Sequence, residues 1–263
     1  MAPMSQTLPI GEVVADRFRI EAVIGEGGMG TIYRARHVQL PRTFALKVLK
    51  PNLAADQSFV KRFLREAVAA SQIIHPNVVN VTDYGQLPDG NFYIAMEHLE
   101  GRTLDDELER RGRVPLRRAL DILIQLADAL DDCHAHGIVH RDLKTENVLL
   151  CTIRGREDVV KLVDFGIARM LGPDLTMWQV TQGGMIFGTP EYLSPERALD
   201  ADIDGRSDIY ALGIIAYELV VGDPPFTGRY TQLLKAHIGQ APPPPSQHAE
   251  EQIPPGYDAL VLK

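Results

Sequence analysis

Between Phe18 and Met96 the hydrophobic residues come in short runs rich in β-branched and aromatic side chains, at 18–24, 31–38, 43–49, 78–84 and 92–96, separated by clusters of Gly, Pro and Asp. Short runs bounded by turn residues predict strands, here of one antiparallel sheet. One stretch has a different period. Phe59, Phe63, Ala67, Ala70 and Ile74 recur at three- and four-residue spacing, which predicts a helix over 58–74, ended by His75-Pro76-Asn77. Beyond Leu99 the pattern turns helical. Leu120, Leu123, Ala127 and Leu130 make an apolar stripe over 116–135, with Gly137 as the stop, and a short strand is expected at 138–140. Ser207 is placed to N-cap an apolar helix ending near Val221, with Gly222 after it, and 231–238 reads as one more helix before the Pro-rich 241–245. The last segment, 257–263, is helix-like for barely two turns, too few to be stable alone. A strand-rich half is followed by a helix-rich half.

The 263 residues fit one large domain or two lobes. Lys and Arg total 27 against 35 Asp and Glu, a net charge of -8, which leaves no basic field for nucleic acid or anionic lipid. The 45% hydrophobic and 24% charged content is that of a globular domain and argues against disorder, collagen and coiled coil. Cys133 and Cys151 have no metal-type spacing, so both are expected as free thiols, which points to a reducing compartment and a cytoplasmic location. No signal-peptide pattern opens the chain. The most apolar stretch, 209–221, is too short to span a membrane and is interrupted by Glu218.

Gly25-Glu26-Gly27-Gly28-Met29-Gly30 fits G-x-G-x-x-G, a weak pattern alone. The next six residues, Thr31 to Arg36, alternate like a strand and not like the helix of a dinucleotide fold. A glycine-rich loop between two strands lets backbone N–H groups approach phosphate oxygens with no Cβ in the way, which favours ATP. Lys47 ends an apolar strand and Glu66 lies on the next helix. Taken alone they read as a solvated Lys and a helix-surface Glu; beside a phosphate loop they form a pair that presents fixed positive charge to phosphates. The strongest signal is His140-Arg141-Asp142-Leu143-Lys144-Thr145-Glu146-Asn147, followed by Asp164-Phe165-Gly166. Phosphoryl transfer needs a carboxylate at the attacking hydroxyl, oxygen ligands for Mg²⁺ and a cation near the moving group, and this stretch holds all three.

From about Phe18 to its last residue the chain resembles the protein kinase family, with the motifs in the family's order, and most closely the bacterial eukaryotic-like (Hanks-type) serine/threonine kinases. The resemblance implies an α+β, two-lobed protein kinase-like fold: an N-terminal segment 1–17, a small antiparallel sheet lobe with one helix over 18–96, a hinge at 97–101 and a larger, mainly helical lobe over 102–263. It implies Asp142 as the residue that orients and deprotonates the substrate hydroxyl, Lys144 at the γ-phosphoryl group, and Asn147 and Asp164 on Mg²⁺, with Mn²⁺ as a substitute. Lys47 and Glu66 match the strand lysine and its helix partner. Gly25, Glu26, Gly27, Gly28, Met29 and Gly30 match the phosphate loop. Ile32, Ala45 and Leu149 match the residues flanking adenine, and they also read as core packing. Met96 matches the gatekeeper, and Glu97 to Leu99 the hinge backbone.

Thr189 and Glu196 fall in a segment similar to the family's peptide-docking segment, and Thr189 with Lys144 marks the Ser/Thr class. Asp208 resembles the aspartate that accepts backbone N–H groups of the catalytic loop. Arg141 is expected to pair with an activation-loop phosphate at Thr181, with Thr176 second. Thr145 and Ser194 stand where the family has Pro and Ala, and His98 where many relatives have Tyr; all three read as tolerated. The chain stops within what resembles the penultimate helix, so the closing helices read as cut short and Glu196 is expected to lack its Arg partner. The implied activity is transfer of the ATP γ-phosphate to Ser/Thr hydroxyls of protein substrates, with autophosphorylation. A pseudokinase or scaffold and a small-molecule phosphotransferase remain as alternatives, as does a longer, membrane-anchored form.

Overall fold

A computed structural model describes residues 8–28, 30–165, 190–199 and 201–263. The described chain gathers into two units, one of residues 8–74 with Val79–Glu100, the other of His75–Val78 with the described residues from Gly101 onward.

In the first unit β1 (Val13–Val14) turns into β2 (Phe18–Glu26) through Ala15 and Asp16, both at positive φ, 49° and 55°, the turn type whose twist suits a hairpin. Then come β3 (Gly30–His37), β4 (Thr43–Leu49), α1 (Pro51–Ala54), α2 (Gln57–Gln72), β5 (Val81–Gln86) and β6 (Phe92–Glu97). The sheet order is β1-β2-β3-β4-β6-β5, antiparallel throughout. Phe18, Ile20, Tyr33, Ala35, Leu46, Val48, Tyr93 and Ala95 pack into one apolar cluster, as the period-two pattern requires. Two expectations need correction. The strand expected over 78–84 begins at Val81, because Val78 bridges to Leu162 of the second unit and Asn77 O accepts the Leu162 N–H at 2.8 Å. Ile74, expected on the apolar stripe, lies beyond the end of α2 and is 94% exposed.

The second unit holds β7 (Gly101–Thr103), α3 (Leu104–Arg111), α4 (Leu116–Ala135), β8 (Val148–Ile153), β9 (Arg156–Leu162), α5 (Pro195–Ala198), α6 (Arg206–Val221), α7 (Tyr230–Gly239) and α8 (Pro255–Val261). β7, β8 and β9 form a small antiparallel sheet. α4 matches the expected span, buries Ile122, Leu126 and Leu130 against α6 and β9, and is followed by Gly137 at φ 73°. α6 is buried along most of its length and ends at Gly222, φ 102°, where a side chain would run into the Gly112 carbonyl. The short α8 is stable in context: Tyr257 is buried and donates its hydroxyl to Ala216 O at 2.7 Å, and Ser246 donates to Asp258.

Here too two expectations fail. Residues 138–140 form no strand, since the His140 N–H goes to a side chain and not to a neighbouring strand. Ser207 does not cap α6; Gly205 is the cap residue and Ser207 sits inside the first turn, its hydroxyl turned to Glu196 and Ser194. Both cysteines are buried thiols outside any disulfide, Cys133 on α4 and Cys151 on β8.

Candidate active site

The segment from His140 to Asn147 belongs to no sheet, and a buried carboxylate holds it. Asp208, in the first turn of α6, accepts the His140 N–H and the Arg141 N–H at 2.8 Å each, and His134 Nε2 lies 2.8 Å from the same carboxylate. Burial pushes the Asp208 pKa up, but the His134 hydrogen bond, the His140 imidazole and the two backbone N–H groups outweigh it and hold the group below the usual aspartate value. Arg141 is therefore fixed at φ 65°, a left-handed conformation unusual for a side-chain-bearing residue, and Arg197 Nη1 donates to its carbonyl at 2.5 Å. The Arg141 Nε is buried with no hydrogen-bond partner among the described residues.

The His140 ring locks the next turn. Its Nδ1 accepts the Asp142 N–H at 3.3 Å and its Nε2 donates to Val163 O at 3.0 Å, and the ring packs on buried Phe165, centroids 4.9 Å apart. Asn147 Nδ2 donates to Asp142 O at 2.7 Å and reaches its Oδ2 at 3.3 Å, while Lys144 Nζ sits 3.1 Å from Glu146 Oε1. The Val163 N–H donates to Asn147 O at 3.0 Å, so Asp164, at φ 55°, follows directly from a residue bonded to Asn147. Asn147 is thus in direct contact with Asp142, Lys144 lies in the same turn with its ammonium on Glu146, and the backbone brings Asp164 in beside Asn147.

In the first unit, Gly25 and Glu26 pair with Ile32 and Thr31, and the Gly27 N–H closes the loop onto Gly30 O at 2.9 Å, with Gly28 in the turn between; Met29 lies outside the described residues. Gly30 has a reason the loop reading missed: a Cβ there would stand 2.5 Å from Val48 O, so glycine lets β3 and β4 approach. Ile32 faces Lys47 and Ala45 faces Met96 across the strands, which puts all four on the sheet face opposite the apolar cluster. Glu97 is tied to Asn80 through both backbone and side chain, with His98 and Leu99 partly buried after it. Glu66 falls in α2, and its side chain lies outside the described residues. Leu149 is on β8 of the second unit, paired with Thr103 and Lys161. Thr176, Thr181, Gly166 and Thr189 lie outside the described residues.

Glu196 is not left partnerless. Burial raises its pKa, but hydrogen bonds from Ser207, its own backbone and Ser194 bring it below the ordinary value. Thr145, read as tolerated in place of Pro, makes contacts that proline could not. It is fully buried, and its hydroxyl lies 2.9 Å from the Tyr192 hydroxyl and 3.3 Å from Asp105 Oδ1, while the Tyr192 hydroxyl lies 2.6 Å from Glu218 Oε2. Burial first, then the charges of Asp105, Glu146 and Asp223, push Glu218 up to about 7 against the hydrogen bond from Tyr192. No local pattern of residues signals these contacts, because the partners stand 26 to 47 residues apart along the chain.

The protein kinase domain family matches residues 18–256. Over 256 residues the chain is 41% identical to the serine/threonine-protein kinase pkn3 of Myxococcus xanthus, covering 97% of this chain and 47% of that protein. It is also 41% identical over 255 residues to the serine/threonine-protein kinase PknB of Mycolicibacterium smegmatis, covering 95% of this chain and 40% of that protein. The chain therefore spans less than half the length of these curated relatives. The crystal structure of the Mycobacterium tuberculosis PknI kinase domain superposes with a TM-score of 0.67 at 29% identity, covering 97% of this chain and 98% of that one.

Proposed function

The chain belongs to the protein kinase family, and from that premise we propose that it is a serine/threonine protein kinase that transfers the ATP γ-phosphate to Ser/Thr hydroxyls of proteins. The observation that carries the reading is the turn in which Asn147 binds Asp142, with Lys144 between them and the whole segment fixed by Asp208. In that reading Asp142 orients the acceptor hydroxyl and takes its proton, and Lys144 sets positive charge against the transferred group. Lys47, steadied by Glu66, holds the α- and β-phosphates, and the loop Gly25 to Gly30 covers them. Ile32, Ala45 and Leu149 flank the adenine, and Met96 to Leu99 offer the hinge. Residues 18–96 serve as the ATP lobe, 97–101 as hinge and 102–263 as the substrate lobe.

A divalent cation fits the donor set. Asn147 uses its NH₂ on Asp142 O, which leaves the amide oxygen as its ligand atom, and Asp164 adds a carboxylate; such oxygen donors suit Mg²⁺ and also Mn²⁺. Bound there, the ion neutralises phosphate charge. Thr189 and Lys144 favour Ser/Thr acceptors, and the segment from Thr189 to Glu196 docks the peptide. Arg141, whose buried Nε has no partner among the described residues, is suited to receive a phosphate on Thr181. Both ATP and thiols outside any disulfide suit the cytoplasm, and among the described residues no helix is long and apolar enough to cross a membrane.

The test is transfer from γ-labelled ATP to a generic protein acceptor with Mg²⁺, followed by mass spectrometry of the chain itself. Asp142→Asn is expected to lower transfer about 10²- to 10⁴-fold while nucleotide binding persists. Transfer by Asp142→Asn at the wild-type rate would remove Asp142 from the reaction. Nucleotide binding by the wild type with no transfer to any protein would mark a pseudokinase.

A further inference from the structure

Thr145 joins three elements of the helical unit: Asp105 comes from α3, Tyr192 from the short turn Pro190–Tyr192, and Glu218 from α6. The row they form, Asp105, Thr145, Tyr192, Glu218, contains three oxygen-to-oxygen contacts, of 3.3, 2.9 and 2.6 Å. Three such contacts need three hydrogens, and one threonine with one tyrosine brings two. If both end carboxyls were ionised, one contact would set lone pairs against each other with Thr145, Tyr192 and Glu218 all buried from water. A single carboxyl proton removes the conflict. Glu218 then donates to Tyr192, Tyr192 to Thr145 and Thr145 to Asp105, or every bond in the row reverses.

We infer that Thr145 is a positioning residue, the junction of a buried hydrogen-bonded row that shares one proton between Asp105 and Glu218 and ties the catalytic segment to the turn at Tyr192. The surrounding charges favour that proton. Glu218 faces Asp105, Glu146 and Asp223 besides Tyr192, and Asp105 faces Glu146, Glu109 and Asp106. Lys144, next to Thr145 in the chain, sets its ammonium 3.1 Å from Glu146 Oε1. Burial and these like charges raise both end carboxyls, Glu218 to about 7. Thr145 sits between Lys144 and Asn147, so whatever moves it moves the groups on either side. Proline, which the family resemblance leads one to expect at this position, has no hydroxyl to serve as the junction. The purpose of the positioning rests on the kinase reading above; the row and its proton do not.

Two measurements on the full chain test the inference. Infrared difference spectra are expected to show a protonated-carboxyl C=O band at about pH 6 that fades as the pH rises past about 7 and is absent from the Asp105→Asn/Glu218→Gln double variant. In transfer assays kcat is expected to fall over the same range. Thr145→Val should lower kcat about tenfold, leave KM for ATP within about twofold, and displace that alkaline fall, and Thr145→Ser should restore both kcat and the profile. Tyr192→Phe, which removes a single oxygen, serves as the second variant if Thr145→Val does not fold. A wild type without the infrared band, or Thr145→Val and Tyr192→Phe with the wild-type pH profile, would overturn the inference. A chain that shows the band and its pH dependence but transfers no phosphate supports the row and sinks the kinase reading instead.

Discussion

Glu107 on α3 and Glu218 on α6 are both buried carboxylates of the helical unit, and they differ in the donors they are given. Glu107 Oε1 takes Arg118 and Arg111 at 2.5 Å each, and Oε2 takes Arg110 at 2.8 Å and Arg102 at 3.1 Å. Arg118 also grips Asp158 with two bonds of 2.7 Å, made where a bulge in β9 sets Asp158 at φ 53°. Burial raises the Glu107 pKa, but the hydrogen bonds from Arg110 and Arg118 and the charges of Arg118 and Arg111 bring it to about 2. Glu218 has a neutral phenol for a donor and carboxylates for neighbours, and it rises to about 7. The two sites teach that burial alone does not decide ionisation. A carboxylate keeps its charge in the interior when cations are supplied and shares a proton when only hydroxyls are.

The largest separation between the two sites should come from removing each charge. Glu107→Ala leaves Arg118 with half its partners and four guanidinium groups repelling one another, at a cost of about 3 kcal/mol, the lower end for a broken buried pair because Arg102, Arg110 and Arg111 are half exposed to water. Glu218→Gln, which resembles the protonated acid, should cost under about 1 kcal/mol at neutral pH. Urea unfolding of the two variants makes the comparison, and equal losses would break it.

Next comes the direction of pH dependence. Glu107 has a lowered folded-state value, so its contribution is complete above its ordinary 4.5 and disappears as the pH falls through about 2. Glu218 has a raised one, so its contribution is complete below 4.5 and disappears as the pH rises through about 7. Each contribution is on the order of 3 kcal/mol. Melting temperatures of the wild type less those of Glu107→Gln should climb with pH on the acid side, and those less Glu218→Gln should decline toward neutrality. Slopes of one sign would refute the contrast.

Smaller effects sharpen it. Salt at about 1 M, with a Debye length near 3 Å, should weaken the exposed arms of the Glu107 cluster and leave the contact between Tyr192 and Glu218 untouched. The smallest change is expected from Arg102→Ala, about 0.5 kcal/mol by urea unfolding, since its guanidinium is half exposed and three others remain on Glu107. A loss several times larger would mean that the cluster acts as one unit.

The sequence was most legible where the signal is local. The strand at Thr43–Leu49 and the helix at Leu116–Ala135 match their expected spans because a short apolar run bounded by turn residues marks the one and apolar residues at three- and four-residue spacing mark the other, although the helix buries Ala119, Ile122, Leu126 and Ala129 and leaves Ala127, expected on the stripe, exposed. α3 was not foreseen. Its run Leu-Asp-Asp-Glu-Leu-Glu-Arg-Arg carries two apolar residues, and its start depends on a capping box in which Thr103 and Asp106 exchange hydrogen bonds. The hairpin of β8 and β9 was likewise missed, although Arg154-Gly155 at positive φ marks its turn.

In the site, the residue types named by Asp142, Lys144 and Asn147 were readable as a string, and the aspartate that anchors them, Asp208, was reached through resemblance. Thr145 reads as tolerated, and its contacts are not legible in the sequence, because a buried hydroxyl acquires meaning from partners on other elements. The strand expected at 138–140 failed for the same reason, since its N–H partner, Asp208, is 68 residues away.

The two thiols of the helical unit make it a timepiece. Burial, with the charges of Asp132 and Asp208, pushes the Cys133 thiol up to about 12, and Cys151 is 2% exposed. Neither sulfur meets an alkylating reagent until its surroundings open, so the labelling rate counts openings. Cys133 precedes His134, the α4 residue that reaches Asp208, and Cys151 pairs with Gly101 at the β7 edge. Cys133 thus clocks release of the anchor beneath the catalytic segment, and Cys151 clocks fraying of the small sheet, with no probe added to the chain.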